Sequence, residues 1–160
     1  MTRKATRQDF DFIYSLYMNP QVNPFLLYEM MDAETFKPIF KELLSKKVLY
    51  IFEDQNKGVG MFKLIPLTFR NTHVAYLGGV AIDSLCAGKG YGLKMLKEII
   101  DYAKNKGFLR IELSVADYNE KAIHLYEKAG FKKEGLLVNY TYLKKENRFI
   151  NEVMMAWIKE

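Results

Sequence analysis

Phe36, Ile39, Phe40, Leu43 and Leu44 recur at the spacing of one helical face, so the chain is predicted to form an amphipathic helix there. Pro38 lacks a backbone N–H, and the helix is expected to begin only shortly before it. Phe12, Ile13, Leu16 and Tyr17 give an earlier stripe, predicting a helix from about Asp9 to Met18 that Asn19-Pro20 ends. Between the two stripes, residues 19–31 have no regular period. After Lys47 the period changes. Val48 to Phe52 reads as a buried strand, Asp54 to Gly58 as a turn, and Val59 to Ile65 as the returning strand. His73 to Ile82 reads as a third strand in which Gly78-Gly79 marks a bulge or a close backbone approach.

The second half alternates. Leu93, Leu96, Ile100 and Ala103 predict a helix from about Gly90 to Lys106, with Gly107 just beyond its end. Leu109 to Val115 reads as a strand and Asn119 to Ala129 as a helix closed by Gly130. Phe131 to Leu143 and Phe149 to Ile158 read as two final strands joined through Lys144-Lys145-Glu146-Asn147. The sum is a mixed α/β domain with helices on both faces of one sheet.

Composition narrows the field without choosing within it. The chain has 160 residues, 49% of them hydrophobic and 27% charged, which excludes a disordered or fibrous chain and leaves room for one domain. A net charge of +5 suits anionic ligands without demanding nucleic acid. The paired lysines at 46–47, 132–133 and 144–145 lack the aromatic interleaving of a nucleic-acid surface. The longest apolar run, Val153 to Ile158, is far short of the roughly 20 residues of a membrane span, and the N-terminus lacks the apolar core of a signal peptide. A cytoplasmic protein with no membrane or nucleic-acid partner is expected. No His, Cys and carboxylate residues fall at metal-ligand spacing, so no metal is expected, and Cys86 reads as an incidental free thiol.

The most informative stretch runs from Val80 to Gly92. A strand feeds Gly88-Lys89-Gly90-Tyr91-Gly92, which opens into a helix. Glycines let the backbone approach a ligand, and the first amides of a helix point outward with the dipole behind them. With Lys89 in the loop, the arrangement suits an anion, most naturally a pyrophosphate. It is not a P-loop, because Gly90 follows the lysine. Nor is it a dinucleotide fingerprint, because Met95 stands where the third glycine counted from Gly90 belongs.

A second stretch, Asn119-Glu120-Lys121-Ala122-Ile123-His124-Leu125-Tyr126-Glu127-Lys128-Ala129-Gly130-Phe131, completes a pattern. Together the two stretches resemble the GNAT family of N-acetyltransferases. The first is similar to its acetyl-CoA pyrophosphate motif and the second to its Asn-x-x-Ala-x-x-Leu-Tyr-x-Lys-x-Gly-Phe motif. The ending, Arg148 to Ala156, is similar to the branch containing the ribosomal-protein N-terminal acetyltransferases. The resemblance implies a single acetyltransferase domain over residues 1–160, with a splayed central sheet and helices on both faces. It implies acetyl-CoA as co-substrate, no metal, and N-acetylation of a primary amine on a small molecule or a peptide N-terminus. It further implies that backbone groups of the Val80-Ala81-Ile82 segment pair with the pantetheine arm as an added strand would. Gly88, Lys89, Gly90, Tyr91 and Gly92 would wrap the pyrophosphate, and Asn119 would bond the cofactor near its thioester end. Ala87 departs from the family, which usually has Arg or Gln there.

By the same resemblance Tyr126 is the general acid that protonates the departing thiolate. Read from spacing alone, Tyr126 shares a helical face with Ala122, Leu125 and Ala129 and would be core. No general base is assigned. Some relatives carry a glutamate where this chain has Ser114, leaving Glu112, His73, Tyr76 and Glu29 as candidates. The acceptor site is implied to come from residues 19–31, 66–73 and 138–148. These supply Phe25, Tyr28, Met30, Met31, Phe69, Tyr140 and Tyr142 but few acids, which disfavours a polyamine. A non-catalytic acyl-CoA-binding module is the alternative, and an exposed edge in the last hairpin would suit a homodimer.

Overall fold

A computed structural model describes residues 1–160. Seven strands and four α-helices follow one another along the chain. They are β1 (Thr2–Lys4), α1 (Phe10–Tyr17), α2 (Ala33–Ser45), β2 (Leu49–Asp54), β3 (Lys57–Pro66), β4 (Val74–Ile82), α3 (Tyr91–Asn105), β5 (Arg110–Ala116), α4 (Glu120–Lys128), β6 (Lys132–Leu143) and β7 (Arg148–Ile158). The sheet is mixed, in the order β1-β2-β3-β4-β5-β7-β6. The chain divides into two compact units: Met1–Ile65 with Leu77–Ile99, and Pro66–Tyr76 with Ile100–Glu160.

In the first unit, β1, β2 and β3 form an antiparallel meander. Gln55 and Asn56 both take positive φ (49° and 61°) in the β2–β3 turn, the geometry that matches strand twist in a two-residue hairpin loop. Ile13, Leu16 and Tyr17 of α1 and Phe36, Phe40 and Leu43 of α2 form a core with Ile51, Met61 and Ala81 of the strands. The apolar stripes read from the sequence are thus the buried faces.

Two features differ from the sequence reading. Helix α2 starts at Ala33, well before Pro38, which lies exposed inside it. The Asp32 carboxylate accepts from the Thr35 amide at 2.8 Å and nucleates the helix there. The proline removes one helical bond, and burial of Phe36, Phe40 and Leu43 outweighs that cost. Strand β1 was not anticipated, since three polar residues carry no period. It is held by pairing with β2 and by Arg3, which donates to Asp9 at 2.7 and 2.8 Å and to Glu53 at 2.7 Å.

In the second unit, β4 pairs parallel to β5 over Val74–Tyr76 and Arg110–Glu112. β5, β7 and β6 continue antiparallel. The β6–β7 ladder is interrupted between Leu137 and Thr141, where Asn139 takes φ 52° and its amide donates to the Asn151 side chain at 2.9 Å. Gly107 and Gly130 end α3 and α4, as read from the sequence. No helix is long and apolar enough to cross a membrane.

Candidate active site

The first group of candidate residues lies on β4 and the loop after it, within the first unit. Gly79 takes φ +58°, which gives the strand its irregularity at the predicted bulge. Ala81 is 4% exposed and its side chain belongs to the core, so this residue can offer a ligand only its backbone. Val80 and Ile82 are half-buried. Beyond Ile82 the Asp83 amide donates to the Val59 carbonyl at 2.9 Å, and a short 3-10 turn follows over Ser84–Cys86.

The glycine loop then prepares the start of α3. Gly88 and Gly90 have φ +76° and +79°, and a Cβ on either would stand in open space. Their glycine identity therefore serves backbone conformation, not a tight packing contact. Ala87 donates to the Ser84 carbonyl, and the next backbone donation is Lys94 to Gly90 at 3.2 Å. Between them, the amides of Gly88 through Leu93 have no backbone acceptor, as expected of a helix start. Lys89 is exposed beside them. The Tyr91 hydroxyl donates to Asp54 at 2.7 Å, and Lys94 pairs with the same carboxylate at 3.1 Å. Tyr91 thus uses its side chain to pin the helix start to the β2–β3 turn and leaves its amide for a ligand. Tyr91 and then Lys94 hold the Asp54 carboxyl below the usual carboxylate range.

The second group lies in the second unit. Asn119 caps α4, its side-chain oxygen accepting from the Ala122 amide at 3.2 Å. That bond fixes the orientation of the amide and leaves its NH2 as the free donor. Tyr126 is 8% exposed and packs edge-on against Phe131 with ring centroids 5.8 Å apart. Burial, then the neighbouring Tyr76 phenol, push the Tyr126 phenol above its ordinary value, so it keeps its proton. The Tyr76 and Ser114 hydroxyls are 3.1 Å apart, and burial raises Tyr76 as well.

The base candidates separate on this geometry. Glu112 accepts from Arg110 at 3.0 Å, and Arg110 also pairs with Glu134, so Glu112 belongs to an ion network. His73 and Glu29 are exposed. Tyr76 keeps its phenol proton, since burial and, further down, the Glu152 charge raise it, so the geometry singles out no base. Glu152 was missed in the sequence; Thr141 donates to it at 2.7 Å. Lys63 and Tyr17 were missed too. For Lys63 the signal was present: a lone lysine inside the apolar run Met61-Phe62-Lys63-Leu64-Ile65. Of the residues implied to line an acceptor site, Phe25, Met30, Phe69, Tyr140 and Tyr142 are exposed rather than core.

Residues 10–131 match the family model described as the acetyltransferase (GNAT) family. The chain is 28% identical over 149 residues to the spermidine N(1)-acetyltransferase of Vibrio cholerae serotype O1, covering 88% of this chain and 83% of that one. Among solved structures, a spermidine N-acetyltransferase from Vibrio cholerae in complex with CoA and spermine superposes with a TM-score of 0.86 at 22% identity, over 99% of this chain and 95% of that one. A ribosomal-protein-alanine N-acetyltransferase from Brucella melitensis superposes with a TM-score of 0.81 at 21% identity, over 99% of each chain. These two likenesses establish the fold.

Proposed function

The chain belongs to the acetyltransferase (GNAT) family, and on that premise we propose that it transfers the acetyl group of acetyl-CoA to a primary amine by direct attack. The observation that carries this reading is the run of amides from Gly88 to Leu93 that lack backbone acceptors at the start of α3. These donors, the helix dipole and Lys89 suit a diphosphate. The Val80-Ala81-Ile82 backbone is the element proposed to pair with the pantetheine arm, with the Val80 amide polarising the thioester carbonyl. The Asn119 NH2, left free by the cap, bonds the same arm nearer the reacting end.

Tyr126 is proposed as the general acid. A buried phenol whose ionisation is suppressed holds its proton at neutral pH and donates toward the sulfur as negative charge develops there. The proton balance closes overall, because the attacking nitrogen loses one proton as the thiol gains one. The acceptor is proposed to be an amine on a small molecule or a peptide N-terminus. The test is release of thiol from acetyl-CoA across a panel of amines, alongside calorimetry of acetyl-CoA binding. Turnover of at least one amine is expected. Failure of acetyl-CoA to bind at millimolar concentration refutes the reading.

A further inference from the structure

Lys63 lies on β3 and is 6% exposed, yet no carboxylate accompanies it, and burial alone accounts for the depression of its pKa. Its ammonium stands 5.2 Å from the centroid of the Tyr28 ring. A second polar group shares this place. Tyr17 is fully buried and its hydroxyl has no hydrogen-bond partner. A Cβ built on Gly79 would lie 2.8 Å from that hydroxyl and 3.2 Å from Lys63 Cε, so both side chains reach the bulge residue that precedes Val80. Tyr17 and Tyr28 are themselves in edge contact at 5.1 Å.

A lysine buried along its stem without a counter-charge is unfavourable, and the Tyr17 hydroxyl, buried without an acceptor, adds to the cost. Both groups are donors, and the fold supplies neither with an acceptor. An anionic, acceptor-only group at the bulge satisfies the two together, and a carboxylate has two oxygens to do it. The phosphates of the acetyl donor are assigned to the loop after β4, so the second anion belongs to the acceptor. Acidic residues that would draw a polycation are few: Asp32 caps α2, Glu146 pairs with Arg148 at 2.5 Å, and Glu29 is exposed after Tyr28.

We infer that the acceptor is an amine bearing a carboxylate, and that Lys63 and Tyr17, set against Tyr28 and Gly79, are the residues that select it. This inference rests on the acetyl-transfer reading and narrows its substrate class. Tyr28 lies in the segment after α1, and the bulge adjoins the amide proposed to hold the thioester carbonyl. A polyamine would instead place like charges together beside the Lys63 ammonium.

The test uses amine pairs that differ by one carboxylate: β-alanine with ethylamine, 4-aminobutyrate with propylamine, and lysine with 1,5-diaminopentane, with spermidine as the polycation. At least one carboxylated member is expected to be turned over with kcat/KM tenfold or more above its partner and above spermidine. Lys63→Met is expected to abolish that preference by raising the acceptor KM tenfold or more, leaving the KM for acetyl-CoA unchanged and the Tm unchanged or higher. Tyr17→Phe, which keeps the ring, is expected to raise the acceptor KM by a smaller factor. If acetyl-CoA does not bind, the transferase reading falls and this inference with it. If acetyl-CoA binds but no carboxylated amine is preferred, or Lys63→Met retains the preference, the inference alone is overturned.

Discussion

Replacing Gly79 with alanine tests the geometry of the β4 bulge directly. Two penalties are separable. The first is conformational: at φ +58° an L-residue sits in the left-handed region, costing about 1–2 kcal/mol. The second is steric: the new Cβ would stand 2.8 Å from the Tyr17 hydroxyl, on a side chain that is 0% exposed and held by Phe36 and Tyr28 at 5.4 and 5.1 Å between ring centroids. The Lys63 contact at 3.2 Å involves a flexible side chain and yields more easily. Overpacking of this kind costs about 1–3 kcal/mol, giving a total near 2–5 kcal/mol. Tyr17→Phe alone removes an unpartnered buried hydroxyl and is expected to stabilise by about 1 kcal/mol. The double variant loses the clash and retains only the conformational part, so the cycle should show a coupling of about 1–3 kcal/mol. Urea unfolding of the four proteins, followed by circular dichroism, measures it. A Gly79→Ala variant within 0.5 kcal/mol of the parent, or a coupling indistinguishable from zero, refutes this account of the bulge.

Tyr126→Phe keeps the ring against Phe131 and removes the proton donor, so kcat should fall by about 10²–10⁴ while calorimetric affinity for acetyl-CoA stays within about threefold; an unchanged kcat removes Tyr126 from the chemistry. Gly90→Val places a branched residue at φ +79° in open space, so Tm should drop only modestly while the KM for acetyl-CoA rises at least tenfold; an unaltered KM would mean that the loop does not hold the donor. The Asp9 carboxyl is held below its ordinary range, first by Arg3 and then by the Thr6 amide and hydroxyl, so its contribution is present above the unfolded carboxylate value and lost as pH falls through the lower folded one. Asp9→Asn should therefore cost about 1–3 kcal/mol at pH 7 and progressively less in acid; parallel stability curves for the two proteins would contradict the linkage.

What could be read from the sequence was what is local. The glycine loop and the starts of α3 and α4 each depend on residues within one turn of one another, and the structure places them as the spacing implied, with the Asn119 side chain capping α4 in addition. The stripes of α1 and α2 were legible because periodicity reports a buried face whatever lies opposite. Partners brought together by the sheet were not legible. Glu112 could be weighed as a base only until its ion pair with Arg110, and that of Arg110 with Glu134, were visible. The start of α2 was misplaced because a single proline was given more weight than an aspartate cap and three buried apolar side chains.

Lys63 sharpens the distinction. A lysine inside an apolar strand is a local contradiction, legible without any structure, but its meaning depends on Tyr17 and Tyr28, which lie more than thirty positions earlier, and on Gly79, sixteen positions later. A sequence under selection for stability alone would replace a lysine whose stem is buried and whose only charge partner is the face of the Tyr28 ring, since methionine fills the same space without the desolvation cost. A fold that keeps the lysine beside a hydroxyl without a partner, at a residue of β4 with positive φ, is locally inconsistent in the way functional sites are. One substitution should therefore act with opposite signs: Lys63→Met should leave a protein at least as resistant to unfolding and a poorer catalyst with carboxylated amines. A variant that loses stability and keeps its substrate preference would mean that the lysine is there for packing.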